Sequence, residues 1–542
     1  MLYSTIKHAT IDSTMEKNPN SRTKTKLPKK LFIFKQFLRN NWKKIVSIIL
    51  ILIITFLIAE YSNSALWKDG DTTPDSNVFK YSARLMSEGG MPYRDSFDHK
   101  GPIIYFINYF SRIFSLNRGI WIFEITAIFI SLYYSYSIPK RIFKTNTIIA
   151  LSITLLCGTL LLNFEDALNY PELFNLPLIF ISLYYFLDYL INGNTNAKRV
   201  FLYGLFMGIS LMMKPNGAFF WPIIIITILS RNVKAKDTKQ FIRNILWFIF
   251  GTLVIVLPII IWLIINGAFE QFIDQVFIFN AQYSSTGPKS SIGKKAISLL
   301  FFLENPILLS SIIISLYFLT QNLTKKQRNI VIINGLIMVI SLLLCALSGA
   351  KHPHYAIITI PFVIVPFFLL LNLVQGLKSN AKSITILILI FLSYTAVITP
   401  LLQSLQNTAI RFDERKKPQF NQNVLDVCKI IEQNTNIDDK ISVVGNWDLI
   451  YNKANRFSAS KYSYQYDLFK VRPSITDEYL NDLKEQLPKI IVIQPNRDIT
   501  EIRLPEFLDD NNYKLIYAET DKETGIEIET GAKVYRLMEP EN

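Results

Sequence analysis

Between residues 45 and 400 the chain is a succession of long apolar runs separated by short polar loops. That pattern constrains the fold more than any other feature. A helix needs about 20 apolar residues to cross the ~30 Å hydrocarbon layer, somewhat fewer where helices pack on one another. About eleven runs qualify, near 45–61, 119–138, 146–163, 172–191, 199–213, 217–230, 244–265, 299–320, 329–348, 355–374 and 383–400. The fifth and sixth are short and separated by Lys214-Pro215-Asn216-Gly217, which reads as a tight helical hairpin or one broken helix. With 50% hydrophobic and 13% aromatic residues, the chain is too apolar for an ordinary soluble domain. The fold class expected is an α-helical polytopic membrane protein, followed by a C-terminal α/β domain.

The net charge of +15 sits in the N-terminal tail and in loops between apolar runs. Lys and Arg accumulate in cytoplasmic loops, so this is a topology signal rather than a nucleic-acid footprint. The segment GPIIYFINYFSRIFSL (101–116) decides the orientation. If it does not span, the clusters around Lys140, Lys198, Arg231, Lys325 and Lys378 all fall on the side of the basic N-terminus; counted as a span, it would put them outside. It is therefore read as an amphipathic helix on the outer membrane surface. Residues 1–44 become a cytoplasmic basic tail, 45–400 the transmembrane domain and 401–542 an extracytoplasmic domain of a plasma-membrane protein. A cleaved signal peptide is not expected, because the first apolar run comes after a long polar stretch.

After Pro400 the runs ISVVGN, KIIVIQP, YKLIYAE and AKVYRL read as strands, with helices near 421–433 and 476–487. Gly445 stands alone, without a dinucleotide fingerprint. Cys157, Cys345 and Cys428 have no metal-ligand or redox spacing and are assigned to packing.

Outer loops carry few basic residues, so those that occur ask for a reason. Lys100, Lys214, Lys351, His352 and His354 each lie at a helix edge beside Gly or Pro. Acids fall in the same layer: Asp69, Asp71, Asp75, Asp95 and Asp98 in the first loop, Glu165, Asp166 and Glu172 in the second. Any one of these could be a solvated cap. As a set from four loops, they could hold a phosphate at lipid headgroup depth beside a proton acceptor. Residues 269–286 read either as an interfacial helix roofing the site or as an amphipathic connector. Glu124, below the outer surface, is expected to pair with a site cation.

DSNVFKYSARLMSEGGMPYRDSFDHKGPIIYFIN (75–108), NYPELFNLP (169–177), MKPNGAFFWP (213–222) and KHPHYAIITIPF (351–362) together resemble loops of the GT-C superfamily of polytopic glycosyltransferases. Within it, they are most similar to the branch of protein O-mannosyltransferases and lipid A aminoarabinose transferases. The resemblance covers roughly residues 45–400 and implies an inverting hexosyl- or pentosyltransferase that uses a polyprenyl-phosphate sugar. It implies Asp75 as general base, with Lys100, Lys214, His354 and additionally Arg94 on the donor phosphate. Glu172, Asp166 and Asp71 are acceptor or metal candidates. Ser76 departs from the second acidic residue that many members carry after the first, which leaves Asp71 or Asp69 as alternative bases. No cofactor is required; a divalent cation is compatible with so many carboxylates, but the spacing does not demand one. The acceptor implied is a cell-envelope glycan, a teichoic acid or a protein, met at the bilayer; nucleic acid is not a partner.

Two other classes compete with this one. A lipid-linked sugar flippase or transporter would place polar groups along a midplane path, often in repeated halves. A polysaccharide polymerase or ligase would be expected to carry a large Arg-bearing outer loop. The chain shows neither pattern.

Overall fold

The computed structural model describes residues 29–60, 62, 64–65, 72–115, 118–164, 168–193, 195–285, 291–377, 402, 406, 420–466, 468–521, 524 and 526–538, with side chains from residue 41. The chain to Ile49 and the chain from Leu50 are separate compact units, and every described strand and every described helix after the first belongs to the second.

Helix α1 (Lys29–Ala59) leads into α2 (Pro74–Ser87) and α3 (Pro102–Ser111). Each of the latter two begins with Pro in its first turn, where the missing N–H costs nothing. Then come α4 (Ile120–Ser137), α5 (Thr147–Phe164), α6 (Pro171–Asn192) and α7 (Ala197–Leu211). A 3-10 turn, Pro215–Phe219, precedes α8 (Phe220–Lys234), and α9 (Thr238–Ile265) comes next. Two short helices, α10 (Phe269–Ile273) and α11 (Phe279–Ser285), flank a π-turn. The helical part continues through α12 (Ile292–Leu303), α13 (Pro306–Leu319), α14 (Lys325–Ala346), a 3-10 segment Pro353–Val363 and α15 (Ile364–Gly376).

Among the described residues, eight helices are long and apolar enough to cross a membrane, or up to nine if one bent pair is a single span. The protein is a multi-pass membrane protein; the expected count of eleven is not confirmed. The run at 199–213 corresponds to α7, which has 15 residues and packs along α9. The run at 299–320 is not one straight helix: α12 and α13 meet at 88°, because Asn305 caps α13 and Pro306 opens it. The run at 383–400 lies outside the described residues. Helix α3, at ten residues, is about 15 Å long and too short to cross. Along α9, Leu246, Phe250, Leu253, Leu257, Ile261 and Ile265 stand exposed, Ile265 at 77%. Such a face is stable only against lipid or another apolar surface.

All four expected strands form. The sheet order is β1 (Ile441–Val444), β2 (Ile490–Ile493), β4 (Lys533–Leu537) and β3 (Tyr513–Ala518). β1 pairs parallel with β2 in the register Ile441 to Ile490, while β4 runs antiparallel to β2 and to β3. Every residue of β1 and β2 is buried, which explains their unbroken apolar sequences. Helices Gln422–Asn434 and Ser474–Gln486 also match expectation within two residues.

This C-terminal region shares its core with the first loop and α11. Val78, Phe97 and Phe279 pack in one apolar cluster with Tyr462, Tyr464 and Leu468, and Tyr81 packs with Trp447 and Tyr451 in another. Each fully buried large side chain contributes roughly 1.5–3 kcal/mol. Polar clamps fix the register: Arg84 donates to Asn455 Oδ1 and lies over the Phe457 ring, and Arg472 makes a two-pronged pair with Asp274.

Candidate active site

Asp75 stands in the first turn of α2. The Thr73 hydroxyl caps that helix by accepting from the Ser76 N–H, so the carboxylate is at the end where the helix dipole favours negative charge. Asn169 of the second loop donates to the Ser76 hydroxyl at 2.8 Å, tying two loops together.

The stretch PYRDSFDHKGP divides into two halves with different work. In its first half Asp95 accepts from the Met91 N–H, and Arg94 clasps Asp95 and the Asn266 carbonyl. In its second half Asp98 accepts from the hydroxyls of Tyr105 at 2.7 Å and Tyr464 at 3.1 Å. The Lys100 carbonyl accepts from Tyr93 at 2.8 Å. At the end of the stretch, the Gly101 and Ile103 N–H groups donate to the Met213 and Met212 carbonyls at the foot of α7. A Cβ on Gly101 would lie 2.2 Å from the Met212 oxygen, so only glycine permits this clasp. The clasp brings the backbone at Lys100 against the turn that carries Lys214.

The result is a cavity of about 630 Å³ walled by Asp75, Asp98, His99, Lys100, Lys214 and His354, among others. That is ample for a substrate-sized ligand, since such pockets usually measure ~300–1,000 Å³. Arg94 stands outside this wall. The buried Lys100 Nζ lies 3.6 Å from Asp75 and 3.9 Å from Asp98, and 2.8 Å from His99 Nε2. Lys214 pairs with Glu172 and sits 4.1 Å from the centre of the Tyr355 ring. His354 stacks on Tyr170 at 3.9 Å, with the two rings nearly parallel.

Burial pushes the Asp75 carboxyl up, but Lys100, His354, His99 and Lys214 together outweigh it and hold it at about 2. Its side chain keeps 43% of its surface open, because it faces the cavity rather than packed protein. Burial, with Lys100 next to it, pushes His99 down to about 4, so its ring is neutral and can accept from the lysine. Burial would lower Lys100; Asp75 and Asp98 more than offset that, and it stays a cation.

Of the residues singled out in the sequence, Asp75, Lys100, Lys214 and His354 therefore meet around one space, with Glu172 behind Lys214. Asp71, Asp69, Glu165 and Asp166 lie outside the described residues. Glu124 accepts from the Ser62 hydroxyl at 2.6 Å. From the described part of segment 269–286, Phe279, Asn280 and Tyr283 line the cavity wall. Sequence reasoning missed the hub role of Asp98 and the contribution of Asn446, Tyr464 and Tyr466 from the C-terminal region. Among the described residues, no three His, Cys, Asp or Glu side chains are grouped to hold a metal ion.

The family described as the putative competence-induced protein Ccs4 N-terminal domain matches residues 36–386. No curated protein sequence matches the chain. Among solved structures, the fold is similar to ArnT from Cupriavidus metallidurans in the apo state. The TM-score is 0.58 at 11% identity, over 92% of this chain and 98% of that one. The same protein bound to undecaprenyl phosphate gives 0.58 at 12% identity with the same coverage. The archaeal oligosaccharyltransferase AglB from Archaeoglobus fulgidus, in complex with an inhibitory peptide and a dolichol-phosphate, gives 0.50 at 13% identity, over 84% and 70%. At such identities the likeness establishes architecture alone.

Proposed function

The chain belongs to the Ccs4 N-terminal domain family, and we propose that it is a membrane glycosyltransferase. In this reading it moves a sugar from a polyprenyl-phosphate donor to an acceptor hydroxyl, with inversion at the anomeric carbon. The observation that carries the reading is Lys100: a buried cation shared between Asp75 and Asp98, with Lys214 on the same cavity. The likeness of the fold to a structure holding undecaprenyl phosphate and to one holding a dolichol-phosphate supports it.

The chemistry assigns one role to each group. Asp75 takes the proton of the acceptor hydroxyl as that oxygen forms its bond to the anomeric carbon. The bond from that carbon to the phosphate oxygen breaks, and its electron pair leaves on the polyprenyl phosphate. Lys100 and Lys214 stabilise that charge through charge-assisted hydrogen bonds, and His354 lies beside them. A carboxyl held at about 2 is a poor base. The cations that hold it there are those an incoming phosphate would engage. Donor binding therefore relieves Asp75 of part of their field and raises its basicity when the acceptor needs it.

Asp75, Asp98 and Glu172 outnumber Lys100 and Lys214, and the donor phosphate deepens that imbalance. A divalent cation accompanying the donor fits this charge deficit, and Asp75 is the carboxylate with open surface to meet it; no step is assigned to it. Arg94, engaged with Asp95, is removed from the donor set. In the same reading the basic N-terminal tail (1–44) is cytoplasmic, 45–400 is the catalytic membrane domain, and 401–542 lies outside the plasma membrane. The acceptor belongs to the cell envelope.

Comparing lipid-linked sugars and envelope glycans in cells with and without the protein tests the proposal. Loss of the protein should leave a polyprenyl monophosphate sugar accumulating and an envelope sugar missing. Unchanged lipid and envelope pools would refute it.

A further inference from the structure

The cavity has two chemically different walls. Its charged groups come from the helical part, at Asp75, Asp98, Lys100 and Lys214. From the C-terminal region it receives Asn446, Tyr464, Tyr466 and Leu468, and none of these described lining residues is charged. Asn446 lies two residues past the end of β1, at the carboxyl end of the two parallel strands, the edge where α/β sheets most often receive ligands.

This second wall is built rather than incidental. The Asn446 N–H donates to Gln494 Oε1 at 2.9 Å, and the Gly445 N–H to Gln465 Oε1 at 3.0 Å. Arg497 donates to the same Gln494 oxygen and lies 4.6 Å from the centre of the Tyr466 ring. The Tyr466 hydroxyl is spent on the Asp498 carbonyl at 2.6 Å, so what borders the cavity at this tyrosine is part of its otherwise buried ring. Asn446 Oδ1 is buried and has no hydrogen-bond partner among the described residues. An orphaned buried amide oxygen is destabilising, and a ligand hydroxyl donating to it would recover that cost.

We propose that this wall is the acceptor subsite and that it takes a neutral carbohydrate ring. The inference rests on the glycosyltransferase reading and deepens it. A sugar offers apolar C–H faces to an aromatic ring and hydroxyl donors to a carboxamide oxygen. A phosphorylated acceptor such as a teichoic acid would call for cations, which this wall does not present among its described lining residues. A serine or threonine peptide would bring backbone amides and one hydroxyl, for which a ring face is no special match.

The test uses the full chain in lipid nanodiscs and saturation-transfer NMR. The probes are maltotriose, mannotriose and triacetylchitotriose, with a Ser/Thr hexapeptide as the contrast. Undecaprenyl phosphate binding is tracked in parallel by intrinsic fluorescence. At least one saccharide should receive saturation in the wild type. That affinity should fall tenfold or more in Asn446→Ala and in Tyr466→Leu, with Tyr466→Phe restoring most of it. Undecaprenyl phosphate should bind all of these alike. The proposal is overturned if no saccharide binds, if only the peptide binds, or if the variants weaken lipid phosphate and saccharide equally. Failure of the wild type to bind undecaprenyl phosphate would instead count against the donor reading, so the two failures are distinguishable.

Discussion

The Tyr464 hydroxyl donates to the Asp98 carboxylate at 3.1 Å, across 366 positions of sequence. Through that bond the C-terminal region touches the charged cluster directly, because Asp98 is also within 3.9 Å of Lys100. A hydrogen bond to a charged acceptor contributes roughly 1.5–3 kcal/mol. Tyr105 still holds the other oxygen, so Tyr464→Phe should lower transfer by about tenfold rather than abolish it. Steady-state kinetics beside a thermal melt would show this. A fall in activity that merely tracks a fall in melting temperature would reduce the bond to a structural one.

Lys214 and Glu172 are both largely buried, and each is the other's charge partner. Removing one partner of such a pair costs about 3–5 kcal/mol, whereas replacing both is far less harmful. Lys214→Met should therefore destabilise the protein strongly, and adding Glu172→Gln should restore stability without restoring transfer. Unfolding midpoints of the two singles and the double complete the cycle. Additive effects would mean the residues do not act as a pair.

Gly101→Ala changes no charged group, yet its methyl would collide with the Met212 carbonyl. Overpacking of this kind costs about 1–3 kcal/mol, and here it would separate Lys100 from Lys214. Donor affinity should drop by more than tenfold in a protein that still inserts. Wild-type donor affinity in this variant would show that the clasp does not set the site.

Asp75 has an acidity set by its neighbours. Its folded value of about 2 lies below the ordinary 3.8. It therefore contributes stability above about pH 4 that is lost as pH falls toward 2. Lys100→Met removes the largest stabilising charge, so the folded value must rise, and the acid limb of kcat/KM should move to higher pH. A pH profile on the residual activity reads the shift. An unmoved or lowered limb would mean that Lys100 does not govern Asp75.

Where hydropathy and charge act locally, the sequence is informative. The strands β1 to β4 match their apolar runs, and most membrane helices fall within a few residues of the expected ranges. Lys100, Lys214 and His354 stand out because each is a basic residue type beside Gly or Pro at a helix edge. The bend between α12 and α13 is equally legible in Glu304-Asn305-Pro306, a cap followed by Pro, but continuous hydropathy masks it. Arg94 is engaged by its neighbour Asp95 and stands outside the described cavity wall, which its position in the sequence does not show. Tyr464 and Asn446 give no local signal, since their place depends on how a distant sheet docks onto the first loop.

The most direct measurement separates binding from transfer at the paired residues Asp75 and Lys100. Purified Asp75→Asn should bind undecaprenyl phosphate as the wild type does and transfer no sugar, while Lys100→Met should lose lipid-phosphate binding by at least tenfold. Full transfer by Asp75→Asn, or undiminished binding by Lys100→Met, would contradict the account at its centre.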